Sequence, residues 1–158
     1  MSGSEIERKF VLAERPAGLE SHPSRALDQG YLAVGDDGVE VRVRAADGDH
    51  TITIKSGPGL VRVEEEMAID ERRFRSLWEL TSGRRVSKRR YRVPLGDDLV
   101  AEVDVYGERL AGLLTAEIEF PSEAASAAFA PPDWLGREVT GDARYANRSL
   151  ALAEGPPG

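Results

Sequence analysis

Cysteine is absent from this 158-residue chain, so neither a disulfide framework nor a thiolate metal site can be built from it. That absence fits a reducing compartment. Only two histidines are present, too few for a His-rich zinc site. No apolar run approaches the roughly 20 residues of a membrane-spanning helix. No basic segment followed by an apolar run opens the chain as a secretory signal would. These gaps give the expectation of a cytoplasmic protein that does not engage a membrane. An excess of positive charge is missing too. The formal net charge of -7 argues against nonspecific binding to nucleic acid or anionic lipid, although it leaves room for a local basic site.

What is present is ordinary in amount and unusual in order. Hydrophobic residues make up 41% and charged residues 31% of the chain, enough for one domain with its own core over 1–158. The Gly/Pro-rich end, 154–158, reads as a frayed tail. Short alternating segments predict strands at about 4–11, 25–34, 38–46, 50–56, 61–69, 86–94, 99–106 and 115–120. Turn-forming stretches such as Gly35-Asp36-Asp37-Gly38, Asp47-Gly48-Asp49 and Gly96-Asp97-Asp98 separate them. Their short spacings favour antiparallel hairpins. Three helices are expected: 71–81 behind Asp70 as N-cap, 123–129 behind Ser122, and about 144–153.

The charges follow the strand period. Alternate side chains of a strand share a face, so Glu5, Glu7 and Lys9 point together while Ile6 and Phe10 point away. Later strands repeat the device with Glu40, Arg42 and Arg44; with Thr51, Thr53 and Lys55; and with Arg62, Glu64 and Glu66. Lys88, Arg90 and Arg92 follow, then Glu102 and Asp104, then Glu117 and Glu119. A charged face is most simply a solvated face, and the near-equal numbers would also permit a pure ion-pair network. Two features point elsewhere: the charges cluster by sign within a strand, and helices are available to cover the apolar side. A closed sheet with helices outside would turn the charged faces inward. Buried ion pairs barely break even in stability, whereas a polyanion gripped by Arg and Lys beside carboxylate-held metal accounts for the same residues.

This ordered set is similar to the CYTH superfamily, the triphosphate tunnel metalloenzymes. The resemblance rests on Glu5-x-Glu7-x-Lys9, Arg42-x-Arg44, Thr53-x-Lys55, Glu64-x-Glu66, Lys88-x-Arg90, Glu102-x-Asp104 and Glu117-x-Glu119. It runs from Ser4 to about Leu152. The stretch from Pro131 to Asp142 and Arg144-Tyr145-x-Asn147 resemble the short bacterial members that hydrolyse inorganic triphosphate. The resemblance implies a mainly β (α+β) fold: an eight-stranded antiparallel β-barrel forming a tunnel, with helices packed outside. It implies phosphate-binding roles for Lys9, Arg42, Arg44, Lys55, Lys88 and Arg90, to which the charge pattern adds Arg62. It implies metal-binding roles for Glu5, Glu7, Glu117 and Glu119, with Glu64, Glu66, Glu102 and Asp104 as further acidic positions. Mg²⁺ or Mn²⁺ is the expected cofactor, and Glu7, Lys88 and Glu117 are the candidate catalytic residues, with Glu64 a further candidate base. The expected partner is a small triphosphate-containing molecule, with no nucleic acid and no membrane, bound by a monomer or homodimer. The same tunnel serves class IV adenylyl cyclases and thiamine triphosphatases, so fold alone does not fix the reaction. A noncatalytic polyphosphate sensor is the alternative outside the enzymes.

Other conspicuous residues carry less. His22 and His50 fall in loops and read as surface residues. Trp78 and Trp134 fit packing better than base stacking. The basic run from Arg84 to Arg90 puts its odd members on the opposite face from the tunnel. Ser56-Gly57-Pro58-Gly59 lacks the strand-to-helix setting of a phosphate loop. Tyr31 is compatible with core or lumen, and Arg144-Tyr145-x-Asn147 with a lid at the tunnel mouth or a cap on the barrel.

Overall fold

The computed structural model describes residues 6–56 and 63–158; Glu5 and Arg62, two of the expected site residues, lie outside them. Each of the eight expected strands is present: β1 (Glu7–Val11), β2 (Ser24–Val34), β3 (Glu40–Ala46), β4 (Asp49–Lys55), β5 (Glu64–Ala68), β6 (Arg85–Gly96), β7 (Leu99–Tyr106) and β8 (Leu114–Glu119). A ninth, β9 (Arg137–Glu138), is too short to show any periodicity in sequence. The helices are α1 (Glu71–Glu79), α2 (Glu123–Ala128) and α3 (Asn147–Leu152). Among the described residues, no helix is long and apolar enough to cross a membrane.

The strands form one antiparallel sheet in the order β5-β4-β3-β2-β6-β7-β8-β1-β9. Its two ends curl toward each other, since Glu64 and Glu66 of β5 and Glu7 and Lys9 of β1 line the same cavity. The tunnel wall is not closed by strand pairing among the described residues. The outer edge of β1, where closure would occur, is taken by β9 (Phe10↔Glu138, Val11↔Arg137). Val139 N then donates to Lys9 O at 2.8 Å, and Lys9 N to Thr140 Oγ1 at 2.9 Å.

Two apolar clusters hold the wall in shape. The outward side chains of β1, β6, β7 and β8 (Phe10, Tyr91, Val93, Ala101, Val103, Ala116 and Ile118) pack with Leu12, Leu19, Phe120 and Leu135. A second cluster at one end of the tunnel joins Tyr31, Val86, Tyr106, Leu110, Val139, Tyr145 and Leu150. Burying such side chains contributes roughly 1.5–3 kcal/mol each. That leaves the charged faces of β1 and β3–β8 to point inward, with uncharged Tyr31 on β2 beside them.

α1 and α2 start where the sequence places them and end earlier. Asp70 accepts from Arg73 N at 2.6 Å, and Ser122 from Ala125 N at 3.0 Å. α1 has no basic residue in its last turn, but the turn into β6 and its first residue supply two. Arg84 donates to Leu80 O and Arg85 to Trp78 O, each at 2.7 Å, and the Arg85 guanidinium lies 4.4 Å from the Trp78 ring centre. Carbonyls left over at a helix end are thereby satisfied. The expected helix at 144–153 is divided. A tight turn over Ala143–Tyr145, held by Asp142, comes first, then extended Ala146, then α3.

Candidate active site

The inward side chains of eight strands meet around a cavity of about 510 Å³. Eleven expected site residues line it: Glu7, Lys9, Arg42, Arg44, Lys55, Glu64, Glu66, Arg90, Glu102, Glu117 and Glu119. Register explains the convergence. Across the sheet, Glu7 faces Glu119 and Lys9 faces Glu117. Glu102 faces Glu117, and Lys55 faces Glu64. Inward positions therefore meet inward positions at every pairing. A second cavity of about 810 Å³ shares Arg44, Glu66, Arg90 and Glu102 with the first. The two are continuous along the tunnel.

The charges inside fall into a closed group and an open one. In the closed group, Asp104 receives Arg90 in a bidentate contact at 2.8 and 2.9 Å and Lys88 at 2.8 Å. The Asp104 carboxylate is fully buried. Burial alone would raise its pKa, but Lys88 and Arg90 outweigh that and hold it well below the usual carboxylate range. Lys88 is held down to about 8, because burial outweighs the attraction of Asp104. Its ammonium also donates to Asn147 Oδ1 at 3.2 Å and sits 5.3 Å from the centre of the Tyr106 ring. Neither Lys88 nor Asp104 lines the cavity; both stand behind its surface, with no exposed ammonium on Lys88.

The open group has carboxylates nearby but only long contacts to them among the described residues. Arg42 approaches Glu64 only to 3.9 Å, and Lys55 approaches Glu64 only to 3.8 Å. The buried Nε of Arg42 has no hydrogen-bond partner among the described residues. Arg44 donates to Gln29 Oε1 at 2.9 and 3.2 Å. Burial, followed by repulsion from Arg42 and Arg90, lowers its pKa to about 10. Three guanidiniums thus crowd a partly desolvated space where charge is costly unless an anion joins them. On the opposite wall, Lys9 pairs with Glu117 at 3.2 Å and donates to Tyr145 O at 2.5 Å. Burial works to raise the Glu117 pKa, but Lys9, Lys88 and Arg90 leave it below its ordinary value.

Carboxylate oxygens on the cavity wall suit a hard divalent cation rather than a soft one. Among the described residues no group of three or more ligating side chains is already gathered. Mg²⁺ bound with a phosphate substrate needs only one or two carboxylates, and the cross-strand pair Glu7 and Glu119 could supply them. The donor set fits.

Three residues of the site, two of them lining the cavity, escape the charge pattern. Tyr31 lines the cavity; burial pushes its phenol pKa up, with Arg42 acting against it. Gln29, fully buried, orients Arg44. Asn147 reaches the cavity from the start of α3. Its signal was the Arg144-Tyr145-x-Asn147 stretch, whose placement the sequence leaves open.

No protein-family model matches the chain. Characterised relatives do. An inorganic triphosphatase from Nitrosomonas europaea is 46% identical over 151 residues, spanning 95% of this chain and 98% of the relative. Another from Acetivibrio thermocellus is 36% identical over 154 residues, spanning 94% and 93%. A crystal structure of an inorganic triphosphatase superimposes with a TM-score of 0.76 at 43% identity, over 99% of this chain and 98% of that one.

Proposed function

This chain belongs to the inorganic triphosphatases of the CYTH superfamily, and from that premise we propose that it hydrolyses tripolyphosphate to pyrophosphate and phosphate with the help of Mg²⁺ or Mn²⁺. The observation that carries the reading is the open cationic group. Arg42, whose buried Nε has no hydrogen-bond partner among the described residues, and Arg44, its pKa lowered to about 10 by burial and by its arginine neighbours, put desolvated guanidinium donors on the cavity wall that a polyanion would satisfy. Arg forks match phosphate oxygens two at a time.

Phosphoryl transfer depends on positioning and charge neutralisation more than on covalent help. Arg42, Arg44, Arg90 and Lys55 bind the triphosphate from one wall, and Lys9 from the other. Glu7 and Glu119 would hold the divalent ion, with Glu64, Glu66 and Glu102 as further acidic neighbours. When bound, the ion supplies charge neutralisation at the phosphate oxygens. A water oxygen forms the new bond to a terminal phosphorus while the bond to the bridging oxygen breaks; that oxygen leaves with pyrophosphate, and of the water's two protons one stays on the new phosphate and the other ends on the departing pyrophosphate. Glu117, ion-paired and below its ordinary pKa, is a poor proton acceptor and serves instead to hold Lys9. Lys88 reaches the site through Asn147.

The test is phosphate release from tripolyphosphate, ATP and thiamine triphosphate with each metal, with ATP also checked for cyclic AMP. Preferential turnover of tripolyphosphate, lost on chelation, is expected. Cyclic AMP as the main product, or tight tripolyphosphate binding without turnover under either metal, would overturn the reading.

A further inference from the structure

We propose that Asn147 is a phosphate-contacting residue of the tunnel and that Arg109, which lies outside the cavity, is its positioning residue. The inference rests on the triphosphatase reading above. It starts from a problem of support. α3 has six residues and no basic residue in its last turn, far too little to hold its own shape. Yet it carries Asn147 to the cavity wall.

Arg109 provides the support. From the turn that follows β7, its guanidinium donates to the carbonyls of Leu150 and Ala151, each at 2.7 Å, and of Ala153 at 2.6 Å. A further bond reaches Arg85 O of β6 at 2.9 Å. One side chain thus ties the end of α3 to the strand that bears Lys88. The turn itself is fixed: Gly107 N donates to Ser87 O at 2.9 Å, and Glu108 is held in the left-handed region at φ 56°, a conformation that non-glycine residues adopt only when their surroundings impose it.

At the other end of α3, Asn147 Oδ1 accepts from Lys88 Nζ at 3.2 Å and from Tyr106 OH at 3.3 Å. An ammonium only donates, so the carboxamide oxygen must face Lys88. The two amide protons are then the donors Asn147 has left to offer. Lys88 itself is sealed in the wall. Asn147 therefore presents, at the surface, a donor polarised by the cation behind it. A shift of α3 along β6 would break that alignment without touching any lining arginine.

A double-mutant cycle on tripolyphosphate hydrolysis tests this. Arg109→Ala is expected to lower kcat/KM by about 10- to 100-fold, the usual effect of displacing a positioned group. In an Asn147→Ala background the same change is expected to have little further effect. If Arg109→Ala does not fold, Arg109→Lys, which keeps the charge but cannot span four carbonyls, goes through the same cycle. Effects that add across the two sites, or a lowered melting temperature with unchanged kcat/KM, would overturn the inference, because a purely structural clamp has no reason to depend on Asn147. Wild-type protein inactive on tripolyphosphate would sink the triphosphatase reading instead.

Discussion

A single arginine shows how this tunnel trades stability for binding. Arg42 is buried, its Nε has no hydrogen-bond partner among the described residues, and it approaches Glu64 only to 3.9 Å, while Arg90 close by is tied to Asp104 through Nε and one terminal nitrogen. The difference separates a guanidinium already anchored to the wall, with only its remaining N–H groups to offer, from one whose donors wait for substrate. Binding should therefore be visible as stability, even without metal. Tripolyphosphate at a hundredfold excess over its Kd is expected to stabilise the folded chain by about 2.7 kcal/mol. For a chain of this size that corresponds to a rise of roughly 5–10 °C in Tm. Arg42→Met and Arg44→Met should lose most of this rise in a thermal melt. An equal rise in wild type and both variants would show that the anion binds elsewhere.

Among elements, the segment from Gly136 to Thr140 matters most for its size. β9 contributes only two residues, yet it fills the outer edge of β1 and brings Thr140 to the Lys9 backbone. Gly136 permits this by lying flush against β1: a Cβ there would collide with the carbonyl oxygen of Val11. Arg8 adds a clamp, bonding Glu138 through two nitrogens at 2.6 and 3.0 Å and the Ser126 carbonyl at the end of α2 at 3.0 Å. Gly136→Ala must push β9 away from β1 and is expected to cost about 1–3 kcal/mol, as overpacking does. It should also reduce turnover, because Lys9 loses its backbone anchor. Chemical denaturation and a tripolyphosphate assay on one preparation measure both effects. Unchanged stability would mean that the segment docks without β9.

At the scale of the whole molecule, the inward carboxylates set the response to acid. Asp104 and Glu117 in the tunnel, together with Glu138 held by Arg8 outside it, have pKa values below their ordinary ones, while their unfolded values lie near 4. Below that pH the unfolded chain takes up protons that the folded one refuses, so stability falls as pH drops. Tm is expected to be nearly flat from pH 7 to 5 and to decline steeply below about 4; a flat profile down to pH 3 would contradict this. Much of the molecule could be read from its residues, because strand periodicity and inward charge are the same fact seen twice. Eleven lining residues follow from that one pattern. Periodicity cannot show depth, so nothing in Lys88-x-Arg90 distinguishes a lysine sealed in the wall from an arginine that lines the cavity; α3 meets the sealed lysine through Asn147, and Arg109 bonds the end of α3. Tyr31 and Gln29 alternate as the charges do but carry none, and two-residue β9 is too short for any period. The arrangement of β1 also has a consequence for synthesis. Its partners are β8 and β9, so of the nine strands the one made earliest is the last to be paired. Until Glu119 has emerged, Phe10 lacks its partner strand, and the nascent chain must carry β1 unpaired while seven further strands are made, a slow, long-range closure of the kind that invites misfolding.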